Sequence, residues 1–79
     1  MQTILIESGK VMLVDEVLPK LDRVLHLLSV QRCEDKDVKQ ERAGTGSKIF
    51  VPLISPLGRT ALDLTLKELP NARVSIFES

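Results

Sequence analysis

The sequence predicts a small α+β protein in which a mixed β-sheet of four strands carries two helices on one face. Short β-branched runs alternate with two segments of helical period, in the order ββαβαβ. The chain has 79 residues, which is one domain, 1–79, with no room for a second core. Its apolar residues make up 43% of the total and are almost all aliphatic, a composition that indicates a folded protein with a small core.

The first two predicted strands lie on either side of Ser8-Gly9-Lys10. Both runs in QTILIESGKVMLVDE are rich in β-branched residues. A three-residue connection that contains glycine is typical of a β-hairpin, because glycine adopts positive φ at little cost. We therefore expect a hairpin at the start of the chain.

The strongest helical pattern is VLPKLDRVLHLLSVQRC. Its apolar side chains fall in one stripe about 120° wide, which is the predicted core face. The stripe contains Val17, Leu18, Leu21, Val24, Leu25 and Leu28. Proline is tolerated in the first turn of a helix, so Pro19 places the predicted start near Leu18.

Three residues on the far side of this helix form a candidate interface: Leu27, Val30 and Arg23. The two aliphatic side chains lie off the core stripe, beside the arginine. They are either ordinary surface residues or the contact of a homodimer.

The charged segment 34–47 is open to two interpretations. It extends the helix to about Ala43, with Gly44 as the terminating residue, or it is a solvated loop. The next run, SKIFVPLIS, is a predicted strand, and Pro52 places it at a sheet edge or a bulge because proline donates no backbone hydrogen bond.

The last third of the chain predicts a helix and a strand. Residues 57–69 fit either a helix or a strand, and the helix is favoured because Leu, Ala, Lys and Glu are helix formers and Pro70 ends the element. ARVSIFE is the final predicted strand, with Val74 and Ile76 on one side and Phe77 on the other.

No pattern in the sequence predicts an enzyme, a cofactor site or a metal site. Gly44 and Gly46 precede Lys48 without the spacing, the preceding strand or the following helix of a phosphate-binding loop. A polar line on the helix, made of Asp22, His26, Ser29 and Cys33, offers no nucleophile pair. Its His and Cys are seven residues apart, about 10.5 Å along a helix.

The basic residues of the middle segment are the candidate nucleic-acid or anion contacts: Arg32, Lys36, Lys39, Arg42 and Lys48. On a helix the first three would form one stripe facing phosphates. Acidic residues are interleaved with them and the net charge of the chain is zero, so the field of this stripe would be weak.

The stretch SGKVMLVDEVLPKLD, residues 8–22, resembles the opening of the swapped-hairpin DNA-binding domains of transition-state regulators and antitoxins. Those domains begin with a Gly or Lys turn, a short strand and a helix. The resemblance covers about a fifth of the chain and implies DNA binding. The Ile-Pro that ends the strand in that family is absent, since Asp15 follows Val14 here.

The single cysteine, Cys33, allows no internal disulfide, and no run approaches the roughly 18 apolar residues of a membrane span. We therefore expect a cytoplasmic protein with no membrane partner. The sequence favours a non-enzymatic regulatory or adaptor protein that forms a homodimer and contacts a further, unknown protein. The alternative is a DNA-binding transcriptional regulator or antitoxin-like protein that uses residues 32–48.

Overall fold

The computed structural model describes residues 1–78 and confirms an α+β fold with four strands and two helices. The strands are β1 (Gln2–Ser8), β2 (Lys39–Ala43), β3 (Gly46–Leu53) and β4 (Arg73–Glu78). The helices are α1 (Val14–Leu27) and α2 (Arg59–Glu68), and a short 3₁₀ turn spans Asp35–Asp37. The helix at 57–69 and the last strand, both predicted from the sequence, are confirmed.

The strands lie in the order β2-β3-β1-β4, and every pair is antiparallel. The prediction of a mixed sheet was wrong in this respect. Each helix connects two strands that run in the same direction, but a third strand lies between them, so hydrogen-bonded neighbours are always opposed. This is the split βαβ arrangement of the ferredoxin-like topology, which many unrelated functions share.

Both helices pack on one face of the sheet, as predicted. The buried residues of that face are Ile4, Ile6, Ile49, Val51, Leu53 and Val74. Helix α1 contributes the predicted stripe, of which five residues are buried and Leu28 is half-buried. Helix α2 contributes Ala61 and Thr65, whose hydroxyl donates to the Ala61 carbonyl at 3.1 Å and so is not left unpaired in the core.

Helix α1 begins four residues earlier than predicted, at Val14. Pro19 therefore lies beyond the first turn, where it removes the hydrogen bond that the Asp15 carbonyl would accept. The helix tolerates this because Val14, Val17 and Leu18 already continue the core stripe toward the N-terminus. Acidic residues in the first turn also stabilise that end.

The end of α1 explains the position of Val30. Ser29 has φ of 54°, and the helix closes with two hydrogen bonds, from the Ser29 N–H to the His26 carbonyl at 3.1 Å and from the Val30 N–H to the Leu25 carbonyl at 2.8 Å. This is a Schellman motif, in which the residue after the left-handed position folds back onto the helix. Val30 is accordingly half-buried against the core.

The predicted hairpin around residues 8–10 does not form. Residues 9–13 are a loop that crosses the end of the sheet, held by side chains of the distant β2–β3 hairpin. The Ser47 hydroxyl accepts from the Met12 N–H at 2.9 Å, and the Gln40 amide donates to the Met12 carbonyl at 2.6 Å. The strand–turn–strand opening on which the swapped-hairpin resemblance was based is therefore absent.

Segment 34–47 forms neither the helix extension nor the loop that the sequence predicted. Five of its fourteen residues form the edge strand β2, joined to β3 by the two-residue turn Gly44-Thr45. Gly44 has φ of 61° at the first turn position, as a type II′ hairpin turn requires. The strand was missed because all five of its residues are exposed and none is a large apolar residue.

Pro52 lies in a central strand rather than in an edge strand. It pairs with Thr3 of β1 on one side, while β2 on the other side reaches only as far as Phe50. There the Pro52 carbonyl accepts from the Cys33 N–H at 2.9 Å. The missing proline donor points to the same side, beyond the end of β2, so it interrupts no strand pairing.

Candidate contact surface on the open face of the sheet

The face of the sheet opposite the helices carries three rows of side chains, set by the strand register. We call this surface the open face, because no helix among residues 1–78 packs on it. The first row contains Glu41, Lys48, Glu7 and Arg73, and the second contains Lys39, Phe50, Leu5 and Ser75. The third contains Pro52, Thr3 and Phe77.

The first row alternates in charge from one strand to the next across the whole sheet. Lys48 and Glu7, in its centre, are half-buried, whereas Glu41 and Arg73 are exposed on the two edge strands. Within residues 1–78 none of the four takes part in an ion pair or a side-chain hydrogen bond. Each charge lies beside a cross-strand neighbour of opposite sign but forms no close ion pair with it, so it can also interact with groups outside the chain.

The second and third rows form an apolar area beside these charges. Leu5 is only 5% exposed, although it lies outside the main core, because Phe50 and Ser75 flank it on the neighbouring strands. Phe77, in the edge strand β4, is 48% exposed. Neighbouring side chains on one face of a sheet contact one another directly or diagonally, so these residues form one continuous apolar area.

A groove of about 320 Å³ lies at the opposite side of this area. Its lining comes from β1, β2, β3 and the 3₁₀ turn: Thr3, Asp37, Lys39, Glu41, Phe50 and Pro52. The open face thus has a projecting aromatic ring over one edge strand and a depression beside the other.

The predicted interface on α1 is only partly assembled. Leu27 is 78% exposed, as expected. Val30 is half-buried against the core because the helix ends before it, and Arg23 makes a solvent-exposed ion pair with Glu68 of α2 at 3.4 Å. One isolated leucine is ordinary for a protein surface.

Arg32, one of the predicted anion contacts, is already occupied inside the molecule. Its guanidinium donates to both carboxylate oxygens of Asp22, to Asp35 at 2.6 Å and to the Cys33 carbonyl at 2.9 Å. The hydrogen bond with Asp22 is the main reason that the pKa of Arg32 is raised above its ordinary value. Partial burial opposes the increase and Asp35 adds to it. The residue links α1 to the segment that precedes β2.

The other predicted nucleic-acid contacts do not form a single stripe, because the segment is not a helix. Lys39 and Lys48 lie on the open face, Arg42 points to the opposite side of β2, and Lys36 pairs with Glu34 at 3.2 Å. Glu41 and Glu7 flank Lys48 in its row. The basic side chains are thus divided between two faces.

The predicted polar line on α1 is interrupted, since the helix ends at Leu27 and leaves Ser29 and Cys33 outside it. His26 and Cys33 both line a shallow groove of about 570 Å³ at this end, but no hydrogen bond of the described residues joins them. Residues 1–78 contain no group of three or more His, Cys, Asp or Glu placed to hold a metal. In the same range no helix has the length and apolar character that crossing a membrane requires.

The open face was missed at the level of sequence because its residues come from four strands. Leu5 and Phe50 lay in predicted strands without an assigned face, and Phe77 was only separated from Val74 and Ile76. The available signal was the alternation along β3, where Lys48, Phe50 and Pro52 are half-buried and the intervening residues are buried. Neither the known protein-family models nor the curated proteins include one that matches this chain.

Proposed function

We propose that the protein is a small non-enzymatic regulatory or adaptor protein that acts through protein–protein contact, and that the open face is its contact surface. The observation that carries the proposal is the continuous apolar area formed by Leu5, Phe50, Pro52 and Phe77 on a sheet face without a covering layer. One face of an antiparallel sheet is often solvated, but an apolar area with an exposed aromatic ring on that face is typical of a contact surface.

The charged row beside the apolar area supports a protein partner in preference to nucleic acid. Phosphate backbones require basic groups of one sign, whereas this row presents two acidic and two basic side chains in alternation. Such an arrangement is complementary to a protein surface with the reverse alternation. DNA binding through residues 32–48 is the competing hypothesis.

A photo-crosslinking experiment tests the proposal in the cell that produces the protein. Phe77 is replaced by benzoylphenylalanine, with the same replacement at the exposed Leu27 as the matched control. We expect an ultraviolet-dependent adduct of defined mass at position 77 and none at position 27. The adduct should disappear when Phe50→Ser is added, provided that circular dichroism shows the variant folded.

The alternatives give different results in the same experiment. An adduct at 27 but not at 77 would move the contact surface to α1. An adduct that nuclease removes would support the DNA-binding hypothesis, and further replacements at Lys39 and Arg42 would then show which face of β2 contacts the nucleic acid. No adduct at 77 at any expression level would contradict the proposal.

A further inference from the structure

We infer that the open face binds a second copy of the same chain, with the two sheets stacked face to face about a two-fold axis parallel to the strands. This inference rests on the proposed function, for which it names the partner. It is drawn from the order of side chains in the three rows, which is complementary to itself under that rotation.

The charged row is complementary to itself under this rotation. A two-fold axis parallel to the strands keeps the position along each strand and reverses the order across the sheet. Glu41 then faces Arg73 of the second copy, and Lys48 faces its Glu7. All four positions of the row meet the opposite charge, so the arrangement gives four complementary contacts per dimer.

The apolar rows agree with the same operation. Reversal of the second row places Phe50 opposite Leu5 of the second copy, at the centre of the contact. Reversal of the third row carries Phe77 to the side of β2, over the groove lined by Thr3, Asp37, Lys39, Glu41, Phe50 and Pro52, where its ring can contact Phe50 and Pro52. The projecting ring of each copy therefore faces the depression of the other.

The alternative pairing, with the axis perpendicular to the strands, loses this match. It preserves the order across the sheet and reverses the direction along each strand. The charged row of one copy would then face the third row of the other, which contains no charged side chain on β1, β3 or β4. Lys48 would then face Pro52 and Glu7 would face Thr3, so these two half-buried charges would be covered without an opposite charge, which is costly.

The available area indicates a weak dimer. Four strands at about 4.8 Å spacing and six residues at about 3.3 Å give a projected face of roughly 400 Å² per copy. The two copies together would bury about 800 Å² plus the added area of the side chains, which is below the roughly 1,200 Å² of stable specific interfaces and in the range of weak ones. We therefore expect a concentration-dependent equilibrium between monomer and dimer.

A charge-exchange experiment tests the inference by sedimentation velocity, with interference optics because the chain has no Trp or Tyr. Glu41→Arg and Arg73→Glu are each expected to weaken the dimer about tenfold, since each places like charges across the interface twice. The double variant restores opposite charges and should return to within about threefold of the wild-type dissociation constant. Lys67→Glu on α2 is the control for charge alone and should leave association unchanged.

Positions 41 and 73 lie on opposite edge strands, about 14 Å apart in one copy. Restoration by the double variant therefore cannot arise within a single chain. The inference is overturned if the wild type stays monomeric up to about 1 mM, if the single variants associate normally, or if the double variant is as weak as the singles. The proposed function is judged separately, because a monomer that crosslinks a different protein through Phe77 would retain it.

Discussion

The two faces of the sheet are built from alternate residues of the same strands, and they differ in what covers their side chains. Ile4 and Ile6 of β1 are fully buried beneath the two helices. Leu5 lies between them in sequence but on the open face, and its burial depends on Phe50 and Ser75 of the adjacent strands. The covered face packs against the two helices of the chain, whereas no helix of residues 1–78 covers the apolar and charged groups of the open face.

The comparison shows that burial alone does not identify the core. Leu5 is as buried as Val17, yet it belongs to no layer shared with the helices. In a protein of 79 residues, where one face of a sheet receives all the available helices, the second face is the largest surface left for contact. Because of this difference, substitutions in different parts of the molecule should change the free energy of unfolding by different amounts.

The largest expected effect is the difference between Ile4→Ala and Leu5→Ala. Ile4 is enclosed on all sides, so its truncation leaves a cavity and should cost about 3–4 kcal/mol of the free energy of unfolding. Leu5 is 5% exposed but is covered by Phe50 and Ser75 of the open face, which can relax into the space left by truncation, so Leu5→Ala should cost less, about 2 kcal/mol. Urea unfolding followed by far-ultraviolet circular dichroism, at low protein concentration, measures both. Equal losses would mean that the open face is part of the core.

The second effect concerns the place where the chain crosses the edge of the open face. A Cβ on Gly46 would lie 1.9 Å from the Ser8 carbonyl oxygen, so Gly46→Ala forces the backbone apart and should cost roughly 2–3 kcal/mol. Gly44→Ala is the matched control. Its site has open space and only the positive φ opposes the substitution, for about 1 kcal/mol. Thermal and urea unfolding compare the two, and a larger loss at Gly44 would contradict the close approach.

The third effect is the difference between Arg32, whose charge is paired within the fold, and Lys48, whose charge lies on the open face. Arg32 is 16% exposed and joins Asp22 and Asp35, so Arg32→Gln should lower the free energy of unfolding by about 1–2 kcal/mol. Lys48→Gln removes no ion pair and should change it by less than about 0.5 kcal/mol. Its effect should appear in self-association instead. A large loss of stability from Lys48→Gln would show that the charged row serves the monomer.

The smallest expected effect is a gain. Ser29 holds the left-handed position at the end of α1, where glycine is the usual residue. Ser29→Gly should raise the free energy of unfolding by about 0.5–1 kcal/mol. Because this site is remote from the open face, the dimer dissociation constant should stay the same, which makes the variant a stabilised background for the other substitutions. A lower stability would mean that the Schellman motif does not form.

The sequence predicted those parts of the fold in which one element carries its own signal. The stripe of α1 and the alternation in β4 follow from local periodicity, and the helix α2 follows from its helix-forming residues and the proline after it. The hairpin was placed at Gly9 instead of Gly44, because both sites have a glycine turn and only long-range contacts decide between them. Ser47 and Gln40 hold residues 9–13 as a loop from more than 25 positions away.

The open face could not be predicted without strand β2, and local periodicity gives no signal for that strand. Strand β2 contains no large apolar residue, and its pairing with β3 is what aligns Glu41 with Lys48 and completes the charged row. Without that register Lys39, Arg42 and Lys48 were grouped as one basic segment. In the fold they are separated by the alternation of a strand.

The measurement that tests the open face most directly is an isotope-filtered nuclear Overhauser experiment on a mixture of methyl-labelled and unlabelled chains. The only aromatic protons besides those of His26 belong to Phe50 and Phe77, so assignment is simple. We expect contacts from the labelled Leu5 methyl groups to the Phe50 ring of an unlabelled copy, and none from Leu27. Contacts from Leu27 alone, or none from Leu5 in a sample shown to be dimeric, would contradict the assignment of the open face as the contact surface.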